Sequence, residues 1–285
     1  MLEQVTDEVL GAKSLKYPAK RLVYLVMARL LRQYGQIPER KKEFPDDVIL
    51  DAAQILDIKP QLWDEINFEG RTFERIKAKV KADLGFRNPS ENDRKGVIAA
   101  VTKENLVIGD SADAANVAIR ATFLRLKIIA PSDRIIEEMA ASCIYNIEQS
   151  LFLKIKNALS KEAIQKINQL LDGKSTLEMS VLKQDPGRIG LESLQKEAEK
   201  LLFLKSIPLP LDLLKGLPRP YLVGLKRRIS SEKPAEIKRH PEATRYALVA
   251  IFSFVRSHEI VDDLVDLLIL IVHRIGARAE QKIIK

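Results

Sequence analysis

The sequence has 285 residues, of which 46% are hydrophobic and 30% are charged; this composition is typical of a folded protein and argues against a disordered one. At roughly 100–200 residues for each domain, the length predicts two or three domains. Lysine and arginine number 47 against 39 aspartate and glutamate residues, so the net charge is +8, which favours a polyanionic partner.

The single cysteine, Cys143, excludes a disulfide framework and a cysteine-based metal site. It lies in an apolar helical pattern and is expected in the core. No apolar run approaches the ~20 residues that a membrane span needs, and the N-terminus has no secretory signal. We therefore expect a cytoplasmic protein with no membrane association, no cofactor and no metal.

Apolar spacing in residues 1–88 predicts a first helical domain. A helix over 21–34 stops at a glycine, which is a common helix-end signal. Further along, a basic helix runs from Arg71 to Leu84 and ends at Gly85.

Residues 89–175 form a predicted second helical domain. Its helices are expected near 91–104, 111–128 and 132–158. Pro131 forces a break before the last of these helices, and Ser132 is suited to cap it because a serine oxygen accepts a bond from an orphan backbone N–H. Three helices with a tight break before the last are compatible with a helix-turn-helix module.

Residues 176–285 are predicted to form a helical linker and dimerisation region. Its basic segment, Tyr221 to Arg239, is either a flexible phosphate-binding linker or a solubilising loop. The last two helices, over 242–257 and 259–281, are apolar along one side and could support a homodimer through residues 242–281. The predicted fold class is all-α throughout.

The first group of candidate DNA-binding residues lies on the basic helix. Arg71, Arg75 and Lys79 are spaced at i, i+4 and i+8, which places them along one helix face. Such a row can follow DNA phosphates, although it can also be an ordinary solvated face. Lys77 and Arg87 add positive charge to the same helix and to its end.

A second group flanks Pro131 and comprises Arg120, Arg125, Lys127, Ser132 and Arg134. Backbone N–H groups point outward at the start of the helix near Ser132, so this end can meet a phosphate or enter a groove. The alternative is that Arg134 only pairs with nearby Glu137 or Glu138.

Catalytic signatures are missing from the sequence. There is no phosphate-binding glycine loop and no nucleophile elbow. Asp262, Asp263 and Asp266 are close in sequence, but no histidine or further acid has a supporting spacing. A polar face on an apolar helix is the better interpretation of these three residues.

Several sequence segments resemble those of a known protein family. They are PDDVILDAAQILDIKPQLWDEI (45–66), RTFERIKAKVKADLGFR (71–87), IRATFLRLKIIAPSDRIIEEM (119–139), RYALVAIF (245–252) and HRIGARAE (273–280). In this order they resemble the N-terminal region of the replicative transposases of the Tn-three family.

The resemblance implies tandem helical DNA-binding domains that recognise the terminal inverted repeats of a transposon in double-stranded DNA, followed by helices that contribute to dimerisation. In that family, catalysis belongs to a later RNase-H-like domain with an Asp–Asp–Glu triad and two metal ions. The resemblance therefore implies a DNA-binding fragment, truncated at both ends, that is not an enzyme. Because residues 1–20 do not resemble the family, the first domain is expected to lack a helix.

A rival hypothesis from another class remains open. The apolar character of residues 242–281 is also compatible with a helical scaffold that dimerises and does not bind DNA. The salt dependence of DNA binding distinguishes the two hypotheses.

Overall fold

The computed structural model describes residues 2–283, and over these residues the protein is all-α with no β-strand. The chain divides into two compact units. The first comprises the residues up to 106 together with 110–144, and the second comprises 107–109 together with the residues from 145 onward. The prediction of three domains, over 1–88, 89–175 and 176–285, stays a prediction.

Six helices lie within the first unit, and a seventh begins there. They are α1 (Leu2–Lys13), α2 (Pro18–Tyr34), α3 (Asp46–Leu56), α4 (Arg71–Leu84), α5 (Glu91–Ala100), α6 (Ala112–Arg125) and α7 (Asp133–Ala158). Short 3₁₀ turns cover Lys41–Glu43 and Pro60–Trp63, and a π-helical turn covers Val101–Asn105.

Helix α2 lies at the centre of one apolar core of this unit. Nine of its residues are buried, and α1, α3 and α4 all pack against it. Helix α1 lies in the segment that did not resemble the family and buries Ala12 in this core, while the expectation that a helix of the family is missing stays a prediction. Four rings, of Phe44, Trp63, Phe68 and Phe73, form an aromatic cluster with centroids 4.9–6.5 Å apart.

A second apolar core lies between α5, α6 and the first half of α7. Cys143 is buried there, as its sequence context predicts, and burial raises the pKa of its thiol. Ser111 caps α6 by accepting a bond from the backbone N–H of Ala114, 3.2 Å away.

The ends of α2, α4 and α6 are joined through the main chain. Each helix is followed by a residue in the left-handed region, namely Gly35 (φ 69°), Gly85 (φ 73°) and Lys127 (φ 53°). The Arg87 N–H donates to the Lys127 carbonyl at 3.1 Å, and the Ala130 N–H donates to the Gly35 carbonyl at 3.0 Å. These bonds tie the two cores of the first unit together; we call the joined segments the helix-end junction.

Replacing Gly35 with alanine is expected to lower the free energy of unfolding by about 1–2 kcal/mol, because a side chain in the left-handed region crowds the backbone. The added Cβ itself has room, since its nearest neighbour would be Leu124 Cδ1 at 3.6 Å. Urea denaturation measures the change.

Gly96→Ala is the matched control for Gly35→Ala. Gly96 lies inside α5 with nothing within 4 Å of an added Cβ, so alanine there should stabilise the protein by up to about 1 kcal/mol. Equal effects of the two substitutions would contradict the assigned backbone conformation at Gly35.

The second unit contains the end of α7 and seven further helices. They are α8 (Lys161–Leu171), α9 (Met179–Leu182), α10 (Leu191–Ser206), α11 (Leu211–Lys215), α12 (Arg219–Ser231), α13 (Pro234–Ile237) and α14 (Glu242–Ile283). The prediction of two closing helices is wrong, since α14 is continuous and no glycine or proline interrupts it near residue 258. The basic segment from Tyr221 to Arg239 is mainly helical and is not a flexible linker.

The first half of α14 forms the centre of the second core, where α10 and α12 pack against it. Its later part exposes apolar side chains to solvent. Across residues 2–283, no helix is both long enough and apolar enough to cross a membrane.

Candidate nucleic-acid interface

Helix α4 presents two arginines on its outer face. Phe73, Ile76 and Val80 are buried, and a turn of about 100° per residue places Arg71 and Arg75 on the opposite side. Both arginines are exposed, and neither forms a salt bridge with any residue that the structure describes. They are therefore free to contact an anion.

Lys79 is half-buried and is engaged by residues of the protein itself. Its ammonium lies 2.9 Å from Asp83, which also accepts a hydrogen bond of 2.6 Å from the Tyr24 hydroxyl. Burial alone would raise the pKa of Asp83, but the hydrogen bonds from Tyr24 and Lys79 hold it below its usual range. The predicted row of three cations is thus divided, and Lys79 serves to join α4 to α2.

Lys77 lies on the other flank of α4 and lines a surface cleft of about 800 Å³. Lys81, Ser132 and Arg134 line the same cleft, so the first unit brings three predicted site residues together there. Acids line it as well, namely Glu39, Glu43 and Asp133, and the cleft is therefore mixed in charge.

Lys81 was not among the predicted site residues. It donates a hydrogen bond of 3.0 Å to the Asn88 side chain, and burial, followed by the nearby charge of Lys77, lowers its pKa. The i, i+4 spacing of Lys77 and Lys81 was the sequence signal that could have found it.

Arg87 is held by an internal partner. Its guanidinium binds both carboxylate oxygens of Asp93, at 2.5 and 2.6 Å, and this contact lowers the pKa of Asp93. Asp93 also accepts a bond from the backbone N–H of Ser90 at the start of α5. Arg87 therefore anchors the beginning of α5.

Two further predicted cations form salt bridges at the surface. Arg120 pairs with Asp133 and Arg134 pairs with Glu138, each at 2.9 Å. Glu138 is one of the two partners that the sequence suggested for Arg134. Because the Arg134 side chain is 80% exposed and exposed pairs contribute only ~0–1 kcal/mol, a phosphate could replace the carboxylate at little cost.

Arg125 and Lys127 lie at the end of α6, in the helix-end junction. Both are exposed, and neither forms a salt bridge with the described residues. Ser132 lies just before α7, where its carbonyl accepts a bond of 2.9 Å from the Ile135 N–H. Seven residues, 126–132, connect α6 to α7, which is longer than the three or four of a helix-turn-helix, so this detail of the prediction is not confirmed.

The basic segment of the second unit is largely neutralised by internal partners. Lys226 pairs with Glu259 at 3.0 Å, and Lys238 pairs with Asp172 at 2.6 Å. Arg228 lies 3.4 Å from a carboxylate of α7. These contacts favour a stabilising role for the segment over a phosphate-binding one.

The aspartates of α14 have a structural explanation. Asp263 lies 3.3 Å from the buried guanidinium of Arg256, while Asp262 and Asp266 are exposed. In the part of the chain that the structure describes, no three His, Cys, Asp or Glu side chains are grouped so that they could hold a metal ion.

A repeated spacing in the helix-end junction was also missed in the sequence. Proline and serine follow Gly85 at four and five residues, and they follow Lys127 at the same distances. In both copies a left-handed residue ends one helix and the serine precedes the next. The repeat covers only six residues, which is why it does not stand out in a search for tandem repeats.

Residues 6–143 match the domain of unknown function DUF4158, a range that nearly coincides with the first unit. The chain is 23% identical over 274 residues to the transposase for transposon Tn1546 of Enterococcus faecium, covering 93% of this chain and 28% of that protein. It is 21% identical over 273 residues to the transposase for transposon Tn2501 of Escherichia coli, covering 93% and 27%.

The chain thus spans about a quarter of the length of the curated relatives it matches. Both relatives are transposases, and the match runs through both units. Residues 6–143 thus match DUF4158, and the chain is similar over nearly its whole length to two transposases.

Proposed function

We propose that the first unit binds double-stranded DNA at the terminal inverted repeats of a transposon. The observation that carries this proposal is the set of exposed cations without acidic partners in a region of sequence similar to transposases. On α4 and at the end of α6 these are Arg71, Arg75, Arg125 and Lys127, and Lys77 on α4 is half-buried.

Phosphate contacts would supply most of the affinity. Each arginine or lysine that neutralises a phosphate releases counterions, which makes binding favourable and sensitive to salt. Helix α4 is about 20 Å long at 1.5 Å per residue, enough to follow several phosphates. Ser132 and Arg134, at the start of α7, are the best placed to reach base edges and supply sequence specificity.

The two predicted DNA-binding modules would act together. In the proposed arrangement, residues 1–88 carry the cations of α4, and residues 89–175 carry those of α6 and α7. Two linked contact regions raise the overall affinity through effective concentration, without any new contact.

Fluorescence anisotropy with labelled duplexes tests the proposal. The full chain is titrated into the terminal inverted repeat that borders its gene and into a scrambled duplex of equal composition. We expect tighter binding to the inverted repeat. Equal affinity for the two duplexes would contradict recognition of the repeat, and no binding to either would refute DNA binding.

The proposal is for binding without strand cleavage. Incubating the full chain with the labelled duplex and Mg²⁺ should leave the DNA intact, as followed on a denaturing gel. Metal-dependent nicking by the chain would show that it is an enzyme in its own right.

A second candidate function is self-association through α14, favoured by its exposed apolar side chains. Five of them have alternating spacings of four and three residues: Val261, Val265, Leu268, Val272 and Ile275. This 3.5-residue period is the seam of a two-stranded coiled coil. Residues 242–260 are mostly buried in the protein's own core, so a homodimer would use the later part of 242–281.

Light scattering on the eluate of a size-exclusion column tests this association. We expect a dimer for the unmodified chain and a monomer for Leu268→Glu, which places a charge in the seam. A monomer at all concentrations of the unmodified chain would contradict it.

A further inference from the structure

Lys127 adopts a backbone conformation that lysine disfavours. Among the described residues, only Asp57 and Lys127 combine a positive φ with a side chain, both at 53°. Aspartate tolerates this region because its short side chain can bond locally to the backbone, whereas lysine gains no such compensation.

The same local geometry is built with glycine elsewhere in the helix-end junction. The N–H of Gly85 bonds three residues back to Ala82, and the N–H of the next residue bonds five back to Lys81; Lys127 and Ile128 repeat this pattern on α6. Glycine is the usual residue at this position of a helix end because it carries no Cβ. For the fold alone, glycine would therefore serve better than lysine at 127.

The Lys127 side chain makes no polar contact with the described residues that would compensate for this backbone conformation. It is exposed, and its ammonium forms no hydrogen bond or salt bridge with the residues that the structure describes. It extends alongside the end of α4, where a Cβ built on Gly85 would lie 3.6 Å from Lys127 Nζ. The ammonium is thus held in solvent at the point where the ends of α4 and α6 meet.

Other cations lie on the same two helix ends as Lys127. Arg125, two residues earlier, is exposed and without an acidic partner among the described residues, and Lys81 lies in the last turn of α4. Of the nearby acids, Asp83 in the last turn of α4 is bound by Lys79 and Tyr24, and Asp93 is bound by Arg87. Both of these carboxylates are therefore engaged by residues other than Lys127.

We propose that Lys127 contacts a backbone phosphate of the bound DNA, and that its strained conformation is the cost of placing an ammonium at the helix-end junction. This inference rests on the proposed function of the first unit. Strained backbone positions are characteristic of binding sites, where a side chain must be held at a place that the local fold disfavours. The competing explanation is that Lys127 merely neutralises the carbonyl groups at the two helix ends.

Lys127→Gly separates these explanations because it removes both the strain and the charge. We expect the thermal unfolding midpoint of the full chain to rise. We also expect the affinity for the inverted-repeat duplex to fall by about five- to tenfold, and the slope of log K against log salt to become shallower by about one, as for the loss of one phosphate contact.

Three matched variants complete the design. Lys127→Gln keeps the strain and loses the charge, so it should weaken DNA binding without raising the unfolding midpoint. Lys127→Arg keeps both and should bind like the unmodified chain. Asp57→Gly relieves the other left-handed residue and should leave DNA affinity unchanged within about twofold.

The outcomes distinguish the inference from the function on which it rests. If the unmodified chain binds the duplex and Lys127→Gly binds it equally well, the inference is wrong while the proposed function stands. A lower unfolding midpoint for Lys127→Gly would show that the lysine stabilises the helix ends and would likewise overturn it. If the unmodified chain does not bind, both fail.

Discussion

Replacing Arg256 with methionine is expected to lower the free energy of unfolding of the second unit by about 3–5 kcal/mol, the usual cost of removing one partner from a buried ionic network. The Arg256 side chain is only 3% exposed. Its guanidinium donates to the carbonyl of Gln184 at 2.6 Å and to that of Leu182 at 3.0 Å. Methionine fills a similar volume but satisfies neither carbonyl.

Removing Arg256 also leaves carboxylates without their cation. Asp263 lies 3.3 Å and Glu259 3.4 Å from the guanidinium, and buried Glu197 lies 3.9 Å away. Burial raises the pKa of Asp263, and the charge of Arg256 opposes that rise. In the Arg256→Met variant this pKa should rise further, because the opposing cation is lost.

The pH dependence of the variant follows from that rise. An acid with a raised pKa binds its proton more tightly in the folded state, so its contribution to stability is present at low pH and is lost as the pH rises from the ordinary pKa of 3.8 through the raised pKa of the folded state. Arg256→Met should therefore be less destabilised at pH 5 than at pH 8, as measured by urea denaturation.

Arg227→Met is the matched control for this prediction. Arg227 is exposed on α12, where its replacement should change the free energy of unfolding by no more than about 0.5 kcal/mol. Equal losses for the two variants, or an Arg256→Met protein as stable as the unmodified chain, would contradict the buried network.

Replacing both Arg71 and Arg75 with alanine is expected to weaken DNA binding at least about tenfold and to make the slope of log K against log salt shallower by about two. Both side chains lie on the outer face of α4, so alanine should leave the fold intact. Because phosphates carry no sequence information, affinity should fall equally for the inverted repeat and for a scrambled duplex.

Lys79→Gln provides the control on the same helix. It removes one positive charge, but that charge is already bound by Asp83 at 2.9 Å. We expect less than about a twofold change in DNA affinity at moderate salt. The charges of Lys79 and Asp83 offset each other, and salt screens what remains from a phosphate at a distance. A loss as large as that of the arginine pair would contradict the division of α4 into a binding face and an internal face.

The sequence predicted helix bounds well where a residue that ends helices, such as glycine, follows the helix. The basic helix was predicted from Arg71 to Leu84, and α4 has these bounds because Gly85 takes the left-handed conformation that ends it. Without such a marker the prediction failed: α14 was divided near residue 258, where no residue breaks the helix. The all-α class follows from periodicity alone and is confirmed.

The candidate site was less predictable, because tertiary contacts decide which cations are available. The partnership of Lys79 with Asp83 depends on Tyr24, 59 residues away. The helix-end junction depends on backbone pairing between residues 87 and 128, and no local sequence pattern predicts that pairing. Charge spacing identified the basic helix, but only the fold shows that Arg71 and Arg75 are free while Lys79 is engaged.

The salt dependence of DNA binding by the full chain tests the central claim most directly. If the exposed cations of the first unit contact phosphates, log K for the inverted-repeat duplex should fall linearly with log salt. Its slope should be about −4 to −5, corresponding to roughly five neutralised phosphates. A slope near zero, or no binding at low salt, would contradict the account and favour a helical assembly protein that does not bind DNA.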